Sequence, residues 1–142
     1  MNITYIILLV GLLICSVVDI RKHMISVPFV IMWTILLGGM QIYQDTISIG
    51  LILGTVLTVL VSSVVSWLSG GQIGMGDGFL FGMTAMGLGI MCNIYMLAYC
   101  FMGAFLMAVI LFVICRKGKD TRMPLAPFVL CGSLLVMILG GK

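Results

Sequence analysis

Gly74-Met75-Gly76-Asp77-Gly78 sets a carboxylate into a glycine-rich turn at the edge of a hydrophobic segment. A charge beside the hydrocarbon core of a bilayer is costly, so an ionisable residue there is a functional candidate by default. A second acid, Asp19, stands at the matching boundary of the first apolar run. Whether these are membrane boundaries or surface turns depends on the flanking chain, which is apolar almost throughout.

The 142 residues are 63% hydrophobic and 8% charged, with a mean hydropathy of +1.35. Soluble domains carry about 25% charged residues, so an ordinary soluble fold is excluded. The apolar runs are long and continuous instead of alternating every second residue, which argues against a membrane barrel. The expectation is an all-α polytopic membrane protein, a bundle of about six transmembrane helices forming a single domain over residues 1–142. The net charge of +3 does not point to nucleic acid. Its basic residues sit in short loops, where positive charge sets topology and attracts anionic headgroups of the lipid bilayer. Five cysteines (Cys15, Cys92, Cys100, Cys115, Cys131) form no Cys-x-x-Cys pair, and His23 is the single histidine. Zinc ligation therefore has little support, and buried structural thiols are the plainer reading. The 13 methionines read as packing and lipid-facing residues.

Outward from the glycine-rich turn, the chain divides into six segments. Asn2 to Val18 is the first apolar run, long enough to span about 30 Å at about 1.5 Å per residue with slight thinning. No Lys or Arg precedes it and no small-residue cleavage site follows, so it reads as a retained helix instead of a signal peptide. Ser26 is placed to cap a second helix, with Pro28 in its first turn, running to about Tyr43. Gln44-Asp45-Thr46 makes a polar turn before a third helix from Ile47 to Leu68. On that helix Thr55, Thr58, Ser62, Ser66 and Ser69 recur every three or four residues, a polar stripe expected to face other helices or a wet cavity. A short fourth run extends from Gly78 to about Met91, with Gly78, Gly82, Ala85 and Gly89 on one face for close packing. A fifth helix is expected over Ile94 to Cys115. The sixth segment opens with two prolines, Pro124 and Pro127, which suggest a broken or tilted start, and ends near Leu139. No strong internal repeat supports an inverted-repeat transporter.

Six segments put the 19–26, 70–77 and 116–124 loops on one side. These hold Arg21, Lys22, Arg116, Lys117, Lys119 and Arg122, six of the seven basic residues, and the other side holds Lys142. Positive charge is retained inside, so all three loops are expected in the cytoplasm and the N-terminus outside. Tyr5, Tyr43 and Tyr95 then fall near the outer interface and Trp67 near the inner one.

All four acids are aspartates. Asp45 and Asp120 read as solvated loop residues. For Asp77 the plain alternative is a helix N-cap, and for Asp19 a juxtamembrane partner of Arg21 or Lys22. Together, at one boundary, Asp19 and Asp77 permit a specific chemistry. Two carboxylates a few ångströms apart do not both ionise easily and titrate as a pair. The ionised member takes a proton from water, which attacks a carbonyl, while the protonated member donates to the carbonyl oxygen. This needs no metal and no cofactor. Other hydrolytic arrangements lack material: there is no Gly-x-Ser-x-Gly elbow, no phosphate loop and no Cys–His pairing at plausible spacing.

These residues resemble a family. Gly74-Met75-Gly76-Asp77 is similar to the Gly-x-Gly-Asp motif of membrane aspartic peptidases, specifically the prepilin (type IV leader) peptidases. Asp19-Ile20-Arg21-Lys22-His23-Met24-Ile25-Ser26 resembles the stretch that carries their other catalytic Asp, and Pro124-Leu125-Ala126-Pro127-Phe128 resembles the Pro-Phe-Gly-Pro-Phe segment opening their last helix. The three landmarks fall in the family's order and cover almost the whole chain. The resemblance implies a bacterial or archaeal cell-membrane peptidase that removes the short basic leader from prepilin-like precursors at the cytoplasmic face, typically after a Gly. Asp19 and Asp77 would be the catalytic pair, with Gly74, Gly76, Gly78, Pro124 and Pro127 supporting the motifs. Two departures stand out. Phe79 occupies the position where the family usually has Lys, which bears on substrate choice. The methyltransferase portion of larger members, with its Cys-x-x-Cys pair, has no counterpart, so a peptidase-only form is implied. Oligomeric state is not implied.

Three other readings compete. One is a Gly-x-Gly-Asp protease cutting inside transmembrane helices. The others are a small proton- or ion-coupled transporter and a non-catalytic assembly protein. Transport acids usually lie near the bilayer midplane, whereas Asp19 and Asp77 are expected at its boundary.

Overall fold

A computed structural model describes residues 3–22, 25–68, 74–113 and 125–140. Among the described residues the fold is entirely helical, with α1 (Ile3–Lys22), α2 (Val27–Tyr43), α3 (Ile49–Leu68), α4 (Met75–Leu88), α5 (Ile90–Val113) and α6 (Ala126–Leu139). Three stretches, Ile3–Arg21, Ile49–Leu68 and Ile90–Ile110, are long and apolar enough to cross a membrane. His23, Ser69, Gly70 to Ile73, Cys115, the basic loop from Arg116 to Arg122, and Pro124 lie outside the described residues.

The helix that carries Asp77 is the centre of the molecule. α4 touches each of the other five helices, and every residue from Leu80 to Leu88 is buried. A helix enclosed on all sides must be apolar on all sides, and Phe-Leu-Phe-Gly-Met-Thr-Ala-Met-Gly-Leu meets that demand with one hydroxyl. Small residues let neighbours close in. A Cβ on Gly78 would lie 3.0 Å from Ser62 Cβ of α3, and one on Gly82 would overlap Val59. On other faces of the bundle, Gly87 of α4 lies against Leu8, Gly38 of α2 against Met86, and Gly11 of α1 under the Trp33 ring. Trp33 donates its indole N–H to the Ile7 carbonyl at 3.0 Å, tying α2 to α1.

By contrast, α3 is peripheral. Ile52, Leu53, Val56, Leu57, Leu60, Val61, Val64 and Val65 are all exposed, an apolar exterior consistent with a membrane location and far larger than soluble monomers tolerate. Its polar stripe does turn inward, with Thr55, Thr58 and Ser62 half-buried and Ser66 buried. Three of these hydroxyls bond back onto their own helix, and Thr55 also faces Met86 Sδ of α4 at 3.6 Å. Thr55 donates to the Leu51 carbonyl at 2.9 Å, Thr58 to Gly54 at 2.8 Å and Ser62 to Thr58 at 2.7 Å. Satisfied within their own helix, they leave a small, nearly apolar surface for α4.

Several boundaries differ from expectation for local reasons. α1 continues through Asp19 to Lys22, so Asp19 is a helical residue and not the start of a loop. Ser26 takes the N-cap position of α2, with Pro28 in the first turn, but its side chain makes no capping bond. α5 begins at Ile90, four residues early, because Gly89 alone joins it to α4 with φ of 82° and ψ of 162°. Gly89 is thus a joint; a Cβ there would meet nothing within 4 Å, so it is not part of the packing face of α4. Pro127 lies in an ordinary first turn of α6, with Leu125 as N-cap.

At the end of the bundle opposite Asp77, buried polar groups are paired. Gln41 donates to the Met86 carbonyl at 3.1 Å, and Thr46 donates to Gln41 at 2.5 Å. Thr4 reaches Gln44 at 3.1 Å. Thr84 faces both Asn93 and the Phe81 carbonyl at 2.8 Å, and its single hydrogen serves one of them at a time. These bonds register α1, α2, α4 and α5 against each other away from the acids.

Candidate active site

Three helix ends converge to form the site. The last turn of α1 supplies Asp19, the first turn of α4 supplies Asp77, and the start of α6 supplies the backbone of Ala126. Asp19 is 5% exposed, and its Oδ2 accepts the Ala126 N–H at 3.1 Å across 107 positions of sequence. Leu125, the N-cap of α6, has no side-chain oxygen with which to cap its own helix. Asp19 does that work from another helix, its carboxyl oxygen accepting the first N–H of α6.

Gly74, not Asp77, is the N-cap of α4. Asp77 is the third residue of the helix, and its N–H donates to the Gly74 carbonyl at 3.0 Å. Its carboxylate in turn accepts the Gly74 N–H, which is the acidic half of a capping box without the usual Ser or Thr. Burial pushes the Asp77 carboxyl up from 3.8 to about 6, the negative charge of Asp19 adds to the rise, and the Gly74 N–H opposes it. This carboxyl lies ahead of the apolar run that begins at Gly78, and α4 is not among the helices long enough to cross a membrane. The two acids singled out from the sequence therefore lie at the same end of the bundle, within electrostatic reach of one another.

The surrounding glycines have distinct tasks. The Gly74 N–H serves the Asp77 carboxylate. A Cβ on Gly76 would come within 2.9 Å of Ile25 Cβ, so this glycine lets the α1–α2 connection close over the start of α4. Gly78 admits Ser62 of α3. Pro127 occupies the first turn of α6 beside Ala126, while Pro124 lies outside the described residues. Phe79, where the resemblance leads one to expect Lys, is partly buried against the hydrophobic core. That side chain is thus packing material and presents no charge.

Two thiols and one backbone donor at this end carry no sequence signature. Cys15, one turn before Asp19, and Cys100 on α5 are both buried and sit within electrostatic reach of Asp19 and Asp77 respectively. The Ala126 N–H was open to inference only through the poor capping residue at Leu125. Among the described residues no group of three His, Cys, Asp or Glu side chains is arranged to hold a metal.

No family model, curated protein or solved structure matches this chain. Two neighbouring carboxyl groups, one of them with its proton affinity raised by burial and by the charge of the other, can supply a base and an acid without a metal.

Proposed function

We propose that this chain is a six-span membrane aspartic endopeptidase that removes the short basic leader from prepilin-like precursors at the cytoplasmic membrane face. The observation that carries the reading is the meeting of two acids at one end of the bundle, Asp19 buried at the end of α1 and Asp77 in the first turn of α4, close enough for the charge of one to act on the other. Two carboxyls within electrostatic reach of each other favour sharing one proton, as aspartic peptidase chemistry requires. The resemblance of the Gly74–Asp77, Asp19–Ser26 and Pro124–Phe128 stretches to prepilin peptidases supplies the substrate class.

Water bound between the carboxyls loses a proton to the ionised one as its oxygen attacks the scissile carbonyl. The protonated carboxyl delivers its proton to the carbonyl oxygen, giving a gem-diol. Collapse returns the first proton to the leaving amine nitrogen as the C–N bond breaks, and a gem-diol hydroxyl reprotonates the second carboxyl. The pair ends as it began, with one proton. A leader cut at the membrane boundary suits acids at helix ends. The short α4, about 21 Å at about 1.5 Å per residue, need not match a bilayer of about 30 Å, since its neighbours enclose it.

The test is a processing assay with purified full-length protein in detergent and a pilin-like precursor, with the product N-terminus mapped. The expected result is a single cut at the junction between basic leader and apolar helix, absent from Asp19→Asn and Asp77→Asn. A cut inside the apolar helix would assign an intramembrane protease instead. Full activity in either variant would refute the dyad.

A further inference from the structure

We propose that the N-terminus of α6, acting through the Ala126 backbone N–H, holds the negative charge of the pair on Asp19, so that the shared proton resides on Asp77. The proposal rests on reading Asp19 and Asp77 as one proton-sharing pair, and it divides their roles.

The first turn of α6 has few donors to offer. Pro127 has no N–H, and the N–H groups of Phe128 and Val129 both turn to the Leu125 carbonyl, at 3.0 and 3.2 Å. The Ala126 N–H is the one aimed at a side chain, and Asp19 Oδ2 receives it. A helix N-terminus carries roughly half a positive charge and favours an anion over a neutral acid. An acceptor oxygen held by an N–H is also the poorer place for a proton. Asp19 is buried, and a buried carboxylate persists where such a partner is supplied.

Asp77 also has a helix N-terminus and one backbone N–H, from Gly74, yet there burial and the Asp19 charge outweigh them. Among the described residues, Asp19 of α1 acts on the Asp77 carboxyl electrostatically, Asp77 acts on the Cys100 thiol of α5, which also feels Cys131 of α6, and Cys15 of α1 feels Asp19. Arg21, two positions past Asp19, is exposed. In the hydrolytic sequence Asp19 is then the base that takes the water proton and later passes it to the leaving nitrogen. Asp77 is the acid that protonates the carbonyl oxygen and recovers a proton from the gem-diol. Ala126 touches neither substrate nor water and is a positioning residue.

Acid–base difference infrared spectra of the full-length protein, recorded on either side of about pH 6, read the proton directly. Wild type should show a protonated-carboxyl band that is lost in Asp77→Asn. In Asp19→Asn the band should remain and need more acid to appear. A band that survives in Asp77→Asn overturns the assignment. Ala126→Pro removes the N–H at the first helical position, while obliging Leu125, at φ of -86° and ψ of -29°, to leave the αR region. A second carboxyl band should then appear, and should vanish when Asp19→Asn is added; an unchanged spectrum overturns the role of the α6 N–H. Where that variant does not fold, the Ala126 amide resonance serves, since it should move in Asp19→Asn, and a fixed resonance has the same meaning. Leader processing measured in parallel separates the two claims. Expected bands without cleavage keep the assignment and refute the peptidase, and cleavage with a band surviving in Asp77→Asn does the reverse.

Discussion

Asp77 and Gly74 bond to each other twice, the Asp77 N–H to the Gly74 carbonyl at 3.0 Å and the Gly74 N–H to the Asp77 carboxylate. A single turn of helix thus fixes the carboxyl at the start of α4 while burial opposes its charge. Folding raises its proton affinity, from 3.8 to about 6. The stability it contributes is therefore fully present below about pH 4 and lost as pH rises through about 6. Allowing for partial exposure, the change amounts to about 1–2 kcal/mol. Thermal melts in detergent should show a midpoint that falls between these limits in wild type and stays flat in Asp77→Asn. An equal slope in both proteins would mean that burial does not act on this carboxyl.

The same group sets an alkaline limit on catalysis. If Asp77 must be protonated to donate, kcat/KM for leader processing should fall about tenfold per pH unit above about 6. A rate that is level from pH about 6 to 8 would exclude Asp77 as the acid.

Asp19 has a structural duty separable from its charge. Asp19→Leu leaves the Ala126 N–H buried and unpaired, at a cost of about 1–3 kcal/mol, and loosens the start of α6. Asp19→Asn keeps an acceptor oxygen in place and should stay within about 1 kcal/mol of wild type. Both should be inactive. Equal melting temperatures for the two variants would show that the 3.1 Å bond supports nothing.

Much of this arrangement is legible in the sequence because its signals are local. The start of α2 is marked by Ser26 and Pro28 and its end by Gln44-Asp45-Thr46, and the helix runs from Val27 to Tyr43. That Asp19 and Asp77 share an end follows from the alternation of segments alone. The α4–α5 boundary is hidden because Leu88-Gly89-Ile90 lies within a continuous apolar run, and one glycine turning the chain leaves no mark in composition. The polar stripe on α3 is read correctly as inward-facing, but spacing cannot tell whether hydroxyls bond across helices or back onto their own. Likewise the partner of Asp19 is a backbone group, which no residue type announces.

The contact between α3 and α4 can be tested without touching a carboxylate. A Cβ on Gly82 would overlap Val59, so Gly82→Ala should cost about 1–3 kcal/mol, and Gly82→Leu more. Either displaces the helix that carries Asp77, so processing should fall as well. Val59→Ala added to Gly82→Ala removes the obstructing methyls and should recover part of the loss, which a double-mutant cycle reads as coupling. Strict additivity would mean that these two residues do not meet.

Two glycines with open space around them should respond oppositely to alanine. Neither Gly39 nor Gly89 would place a Cβ within 4 Å of another atom, so packing contributes nothing to either change. Gly39 is exposed within α2, where alanine reduces the freedom of the unfolded chain and should stabilise by about 0.4–1 kcal/mol. Gly89 holds φ of 82° and ψ of 162°, a region essentially confined to glycine, where any side chain costs about 1–3 kcal/mol. Because this lies away from the left-handed helical region that asparagine tolerates, Gly89→Asn should be no better than Gly89→Ala. Melting temperatures of the three variants decide the matter. A Gly89→Asn protein as stable as wild type would show that the α4–α5 joint is an ordinary left-handed turn.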